Sequence, residues 1–524
     1  MKNKLSIYLV KEEFTESKEF IVGNLKSANL SDNKILYYRP SQLRCPEWVN
    51  SFFVDDTQIQ SVFQTKTASA VLSVKVEGRI VLIAFGYGRS IINLDCLEED
   101  FGLKLALGIV KPDSLRKVSL RQIGGNQKLT QEQMPVKSSI ADFDVDVYRD
   151  LVNTVTAVSI NSGISDGMVS GGTGINVSAD VDISNVDNYL SQLIKEYQSE
   201  SYKENFGWID NIKIIKDKQK IDALDQSLLE SITKNAESVL VAIPDIIDWN
   251  NTKGFSYGTK KGQLVDDISL DGLISSFKDN LVTSVEQLKK KYIYQISSAD
   301  DSVTLQRWSA YKCLFSELNY NGSHYCLNNG TWYKINNDYT KMIDEDYKST
   351  KTSDIQFLVH SDDNKKEEVY NEAFANLNNS YINMDQKFVY HGGGGNKIEI
   401  CDTLTDDKKL IHVKRGNSSS VLSHLFNQGL VSAELIKEDN SFLVKANSVI
   451  KENVKKKGLD SQNSKYEIKS SDNFTVIYGI IKKGNEKLPS IPIFSKISLY
   501  YVKRRLKAIN CKVEIAHIQT NATE

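Results

Sequence analysis

Residues 397–429 read "KIEICDTLTDDKKLIHVKRGNSSSVLSHLFNQG". Two apolar runs flank an acidic turn and a serine-rich helix start follows, the pattern of a β-hairpin feeding a helix. With Asp406 and Asp407 at the tip of a two-residue turn, Thr405 faces Lys408, Glu399 faces Lys414 and Cys401 faces His412. Side chains alternate along a strand, so Ile398, Ile400, Ile411 and Val413 share an apolar face while Glu399, His412 and Lys414 share the other. Asp402 falls on the apolar side by this parity, which places it at a bulge or a strand end. Carboxylate, imidazole and ammonium together suit a divalent cation and a phosphate. Carboxylate oxygens hold Mg2+ or Mn2+, and a lysine orients water or neutralises developing charge. Glu399 with Asp402 is the expected metal pair, Lys414 the group that positions the water and stabilises the transition state, and His412 an assisting ligand, base or phosphate contact.

Working outward, "KKEEVYNEAFANL" predicts a helix, "KFVYHG", "KIEICDTL" and "KLIHVKR" predict strands, and "SSSVLSHLFNQGLVSAELI" a helix. A strand at "NFTVIYGII", a basic helix at "SKISLYYVKRRLKAIN" and a strand at "KVEIAHI" complete an α-β-β-β-α-β order with an α-β extension. In the helix after the hairpin, Leu422, Leu425, Phe426 and Leu430 form the apolar stripe. Ser420, His424 and Gln428 line another face at i, i+4 spacing, expected to touch substrate phosphate or to steady the site, with Gln428 counted among the catalytic candidates.

These residues resemble the PD-(D/E)XK nuclease superfamily, whose αβββαβ core carries an acid on its second strand and a (D/E)xK triplet on its third. The triplet here is His412-Val413-Lys414, so a histidine stands where the second acid is expected. Mrr-like restriction enzymes are similar in replacing that acid by glutamine before x-Lys-Arg, and "HVKR" looks like a further neutral variant. The resemblance implies a restriction-endonuclease-like core and Mg2+ or Mn2+ as cofactor. It also implies a first-helix acid, for which Glu372 is the candidate and Glu368 the substitute. A wider resemblance runs through "FGYGRSIINLDCLEEDFGLKLALG", "WSAYKCLFSEL" and "LPSIPIFSKISL". These are similar to a sporadically distributed prokaryotic family, functionally uncharacterised, whose members tend to lie near phage-defence genes.

The chain has 524 residues, too many for one core, and three domains are expected: 1–155 as an N-terminal α+β domain, 156–350 as a mixed helical and β domain, and 355–524 as the nuclease-like domain. The fold class is therefore multidomain, α+β with α/β. In the N-terminal part, "SAVLSVKVEGRIVLIAFGYG" predicts a hairpin turned at Glu77-Gly78, and "DCLEEDFGLKLALGIV" a helix. Helices are expected in "NVDNYLSQLIKEYQSESYKENF" and "KIDALDQSLLESITKNAESV", and an Asn-Gly-turned meander in "WSAYKCLFSELNYNGSHYCLNNGTWYKI".

Net charge is −2, so no overall basic field draws nucleic acid. Contact with phosphate must come from patches: Arg415 and His424 near the hairpin, and Lys503, Arg504, Arg505 and Lys507 on the basic helix with Lys455, Lys456 and Lys457. The six cysteines lack metal-ligand spacing and read as reduced thiols. Cys401 opposite His412 lacks the third group of a nucleophilic triad. "GGTG" at 171–174 and the tetraglycine at 392–395 lack the phosphate-loop signatures and read as turns. Trp208, Trp249, Trp308 and Trp332 read as core anchors. With no signal-peptide pattern and no membrane-length apolar run, a cytoplasmic protein without a membrane partner is expected.

The resulting expectation is a Mg2+-dependent endonuclease acting on DNA before RNA in antiphage defence, with a phage protein as trigger and a homo-oligomer as an open option. A metal-free nuclease fold that senses nucleic acid or a phage protein is the alternative, and a defence scaffold the third.

Overall fold

The computed structural model describes residues 2–522 except 41–42, 55, 123–127, 144, 146–149, 162, 235–237, 261, 299–302, 392–395, 417 and 461–464. The chain is mixed α/β and divides into two compact units, Met1–Arg121 with Leu129–Ile209, and Gln122–Lys128 with Asp210–Glu524.

In the first unit, the described residues form a ten-stranded sheet. Asn3–Leu9 lies between Arg79–Gly86 and Ile175–Ala179, antiparallel to both. The expected hairpin is present: Val76 pairs with Arg79, and Glu77 (φ 49) with Gly78 (φ 74) supplies the paired left-handed residues that match strand twist. The expected domain boundary at 155 falls inside a strand of this sheet, Asp150–Ser159. "GGTG" follows that boundary and is a packing device. Helix Phe101–Gly108, shorter than the segment expected to be helical, lies against strand Met168–Gly171. The Leu103 N–H donates to the Gly172 carbonyl at 2.7 Å. A Cβ on Gly102 would drive into the Gly174 carbonyl, and one on Gly171 into the Gly102 carbonyl. Trp208 packs on this unit's core.

In the second unit, the Asn-Gly meander forms as expected. Asn321-Gly322 and Asn329-Gly330 are left-handed throughout and join Leu314–Tyr320, Ser323–Asn328 and Thr331–Ile335. Helix Lys218–Thr233 is anchored by buried Asp225, which accepts from Tyr311 Oη at 2.5 Å and Trp332 Nε1 at 2.8 Å, with Lys289 Nζ at 3.2 Å. Trp332 and Trp308 are buried, but Trp249 is 59% exposed, edge-on to Phe255 rather than a core anchor.

The C-terminal core follows in the order α1 (Glu367–Asn376), β1 (Tyr381–Asn383), β2 (Phe388–His391), β3 (Asn396–Glu399), β4 (Thr403–Thr405), β5 (Lys409–Arg415), α2 (Ser419–Glu438), α3 (Asn440–Lys456), β6 (Thr475–Lys482), α4 (Ile493–Ala508) and β7 (Lys512–Gln519). The sheet runs β1-β4-β5-β6-β7, with the first three strands antiparallel and the last three parallel. One sheet face, with Leu404, Leu410, Val476, Tyr478 and Ile480, is covered by α2, α3 and α4. The other, with Ile411, Val413, Ile477 and Ala516, packs on Tyr370 and Phe374 of α1.

No break between compact units falls at 350–355. Helix Asn337–Lys348 is tied to α4 by Lys496–Asp344 and Lys503–Asp346 ion pairs, both at 2.7 Å, and Tyr347 donates to the Pro489 carbonyl. Phe315 of the meander meets Phe494 edge-on. Beside them Ser238, Leu240, Glu317, Ser418, Ser419, Ser420 and Pro492 line a cavity of about 110 Å³. Glu317 Oε2 is buried there with no partner among the described residues, and burial pushes its carboxyl up to about 7 against the pull of bonds from Ser419 and the Phe494 N–H. The folded carboxyl keeps its proton to higher pH than the unfolded one. Its contribution is thus complete below the ordinary value of 4.5 and lost as pH rises through about 7. Glu317→Gln should match the parent's thermal midpoint at pH 4 and exceed it at pH 8, by up to about 3 kcal/mol in stability. Equal midpoints at both pH values would contradict that burial cost.

Candidate metal centre

The turn between β4 and β5 has three residues, not two. Lys408 takes the left-handed conformation (φ 61), its N–H donates to the Thr405 carbonyl at 3.1 Å, and the Lys409 N–H to Thr405 Oγ1 at 2.9 Å. Such a turn shifts the pairing by one residue. Thr403 faces Ile411 and Leu404 faces Leu410, so Glu399 does not oppose Lys414, nor Cys401 His412. The slip pairs Thr403 with Ile411, so the parity that put Glu399 on the face of His412 and Lys414 does not hold. The long strand expected at 397–404 is also broken. Glu399 ends a separate ribbon, β2–β3, in which it pairs with Phe388.

The break brings acids together. Asp385, Glu399 and Asp402 each present a carboxylate oxygen within 4.8 Å of the others. Asp402, 8% exposed, sits at the entrance to β4. Its N–H donates to the Ile411 carbonyl at 2.9 Å, and its Oδ2 accepts the Val413 N–H at 2.6 Å. Glu399 accepts the N–H of Gln386, which is itself left-handed (φ 58). Asp385, on the loop after β1, accepts from Asn371 Nδ2 of α1 at 3.1 Å.

All three carboxyls are raised above their ordinary range. Burial is the first cause in each; Asp385 adds to it at Glu399, while Glu399 and Asp385 add to it at Asp402. Asp385 is raised further by Glu367 and Glu368. Crowded, desolvated carboxylates of this kind are relieved by a hard divalent cation, which takes oxygen ligands.

Lys414 lies close enough to stabilise ionised Glu399, and its ammonium pairs with Glu367 Oε2 at 2.7 Å. Glu367 Oε1 also accepts the Arg415 N–H at 3.3 Å, so the first residue of α1 locks the end of β5. Of the expected first-helix acids, Glu372 is exposed, and Glu368 is exposed with Gln386 Nε2 at 3.2 Å. The acid that meets Lys414 is Glu367.

Two ligands expected from sequence, Glu399 and Asp402, are therefore together with Lys414, by a route other than the expected register. His412 is not with them. It is 3% exposed, its ring lies 6.2 Å from that of Tyr478, its Nε2 has no partner among the described residues, and burial lowers its pKa to about 4. A sealed, neutral imidazole does not serve as the ligand, base or phosphate contact expected of it. Cys401 is fully buried, its thiol pushed far up by desolvation. On α2, His424 is exposed and Gln428 half-buried.

The expected basic patch is largely paired internally. Lys503 holds Asp346, Arg505 reaches Glu434 through Nε at 3.0 Å and Nη2 at 2.7 Å, and Arg504 lies 5.8 Å from the Tyr500 ring. Lys456 pairs with Glu452, and Lys457 is tied to the carbonyls of Ala375, Asn378 and Tyr381. The tetraglycine at 392–395 lies outside the described residues. Sequence reasoning missed Asp385 and Glu367. Only Glu367 had a local signal, as an acid in a helix's first turn.

Among the described residues no helix is long and apolar enough to cross a membrane. Neither a curated protein nor a solved structure matches the chain. A family model described as a family of unknown function, DUF6119, matches residues 5–519, and the chain belongs to that family.

Proposed function

We propose that the chain is a divalent-metal-dependent nuclease of restriction-endonuclease-like core, acting on DNA before RNA in the defence setting that the sequence resemblance implies. The observation that carries this reading is the convergence of Asp385, Glu399 and Asp402 beside Lys414. The main sheet of the core supports it: β1, β4 and β5 are antiparallel and β6 is parallel to β5, with Asp402 at the entrance to β4 and Lys414 on the adjacent β5.

The three carboxylates would hold Mg2+ or Mn2+, which when bound supplies Lewis acidity toward phosphate and water. Asp385 takes the place left empty by His412 in the His-x-Lys triplet, restoring a third carboxylate from a loop rather than from β5. Lys414, held by Glu367, presents its ammonium to a phosphate oxygen or the attacking water and offsets the negative charge gathering there. Asp402 couples cluster to scaffold through its bond to the Val413 N–H, fixing the acid against the strand that carries the lysine.

Plasmid and RNA cleavage with Mn2+ or Mg2+ tests the reading. Lys414→Ala and Asp385→Asn should each lower the rate by at least about 100-fold, given the several kcal/mol that such charges contribute. Glu367→Gln should lower it less, and Glu372→Gln not at all. A parent protein that cuts nothing with either metal but binds oligonucleotides would instead establish the sensor reading.

A further inference from the structure

The β2–β3 ribbon carries the search furthest. Phe388 pairs with Glu399 and Tyr390 with Lys397, and directly opposed residues share a face. One face of this ribbon therefore presents Phe388, Tyr390, Lys397 and, at its foot, Glu399 of the acidic cluster. Val389 and Ile398 turn the other way, into the core. Phe388 is 39% exposed and Tyr390 50% exposed. Lys397, exposed, holds its ammonium 5.8 Å from the Phe388 ring centre. Behind the ribbon α3 supplies a further exposed ammonium, Lys445, which donates to the Tyr390 carbonyl at 3.0 Å.

Large rings left in water at the edge of a polar cluster have a solvation cost, offset among the described residues only by the Lys397 ammonium near Phe388. A ligand with alternating flat apolar faces and anionic links would cover them. We infer that the β2–β3 ribbon is a stacking platform for single-stranded nucleic acid, which lays successive bases on Phe388 and Tyr390 and leads the strand to the acidic cluster. The inference rests on the nuclease reading for what happens at the foot of the ribbon, though not for the binding itself.

Geometry selects the unpaired strand. Rings two residues apart on a strand lie about 6.6 Å apart along it, roughly twice the 3.4 Å rise per nucleotide in a duplex. Paired and stacked bases cannot offer a free face to both rings, whereas unstacked bases of one strand can. Lys397 beside the rings and Lys445 at the ribbon backbone supply the positive charge a phosphate backbone requires, and Lys397 is already drawn toward an aromatic face. Base stacking on such rings discriminates little between sequences, so the platform would confer strand-state preference rather than sequence preference.

The test is fluorescence anisotropy with a labelled oligothymidylate of roughly 15 nucleotides and a duplex of the same length, in EDTA so that no cleavage is needed. The full chain should bind the single strand at least about tenfold more tightly than the duplex. Phe388→Ala and Tyr390→Ala should each weaken it about tenfold, with Tyr390→Phe retaining affinity and Tyr390→Leu not. Both positions are exposed, so thermal midpoints should stay at the parent's value and mark any loss as local. Equal affinity in parent and alanine variants, or a preference for duplex, overturns the platform even where cleavage is observed. Ring-dependent binding without metal-dependent cleavage overturns the nuclease reading and leaves the platform standing.

Discussion

Asp402→Asn is expected to melt at a higher temperature than the parent when both are free of metal, and to lose the parent's response to Mn2+. The two halves of this result have one cause. Asp402 is buried beside Glu399 and Asp385, and its carboxyl is held well above the ordinary range, first by desolvation and then by those neighbouring charges. Near neutral pH the fold must either keep that carboxyl protonated or tolerate its charge, and both lower stability. An amide removes the charge while its oxygen still accepts the Val413 N–H, so the gain should be about 1–2 kcal/mol. Bound cation reverses the balance in the parent. At a hundredfold excess over its Kd it would add about 2.7 kcal/mol, and the variant should show almost none of this. Thermal scans with and without Mn2+ read both effects. A parent midpoint indifferent to millimolar Mn2+, or a variant less stable than the parent, would show that the three acids are not arranged for a cation.

Gly102→Val should cost the first unit at least about 3 kcal/mol, beyond the usual penalty for overfilling a core. The obstacle is backbone: the new Cβ would sit inside the contact distance of the Gly174 carbonyl, with that of Gly172 also close, and neither can rotate away. Leu103 uses the same closeness, since its N–H reaches the Gly172 carbonyl across the gap. Gly207 provides the contrast. It lies at φ −58 with only the Lys203 Cβ at 4.0 Å from an added methyl, so Gly207→Ala should be neutral or stabilising by about 0.5 kcal/mol. Chemical denaturation of the two variants separates these cases. Similar midpoints for both would mean the helix and the loop do not touch as described.

What could be read from sequence was what neighbours in sequence determine. Asn321-Gly322, Asn329-Gly330 and Glu77-Gly78 impose their turns because two successive left-handed residues leave the chain little choice. Helices at 218–233 and 419–438 follow from apolar periodicity backed by capping by Asp217 and Ser418. The site was legible only in part. Asp406-Asp407-Lys408 contains no glycine, so nothing local announced that Lys408 would turn left-handed, and that single residue sets the register of β4 against β5. The break after Glu399 was hidden because an apolar run continues through Ile400 and Cys401, both buried despite leaving the strand. Asp385 carries no local mark, since its role depends on a ribbon folding back over the loop that holds it. The expected boundaries failed for a related reason: sheet pairing across 150–159 and helix contact across 337–348 join segments whose composition changes.

The clasp between helix Asn337–Lys348 and α4 bears on how the protein can be dissected. Expressing residues 355–524 alone would orphan the ammonium groups of Lys496 and Lys503 and bare the Phe494 ring that Phe315 covers. Such a fragment would tend to clump, and a lack of activity in it would say nothing about the intact chain. By the same reasoning, the two segments cannot be exchanged independently between relatives without carrying their matching partners along.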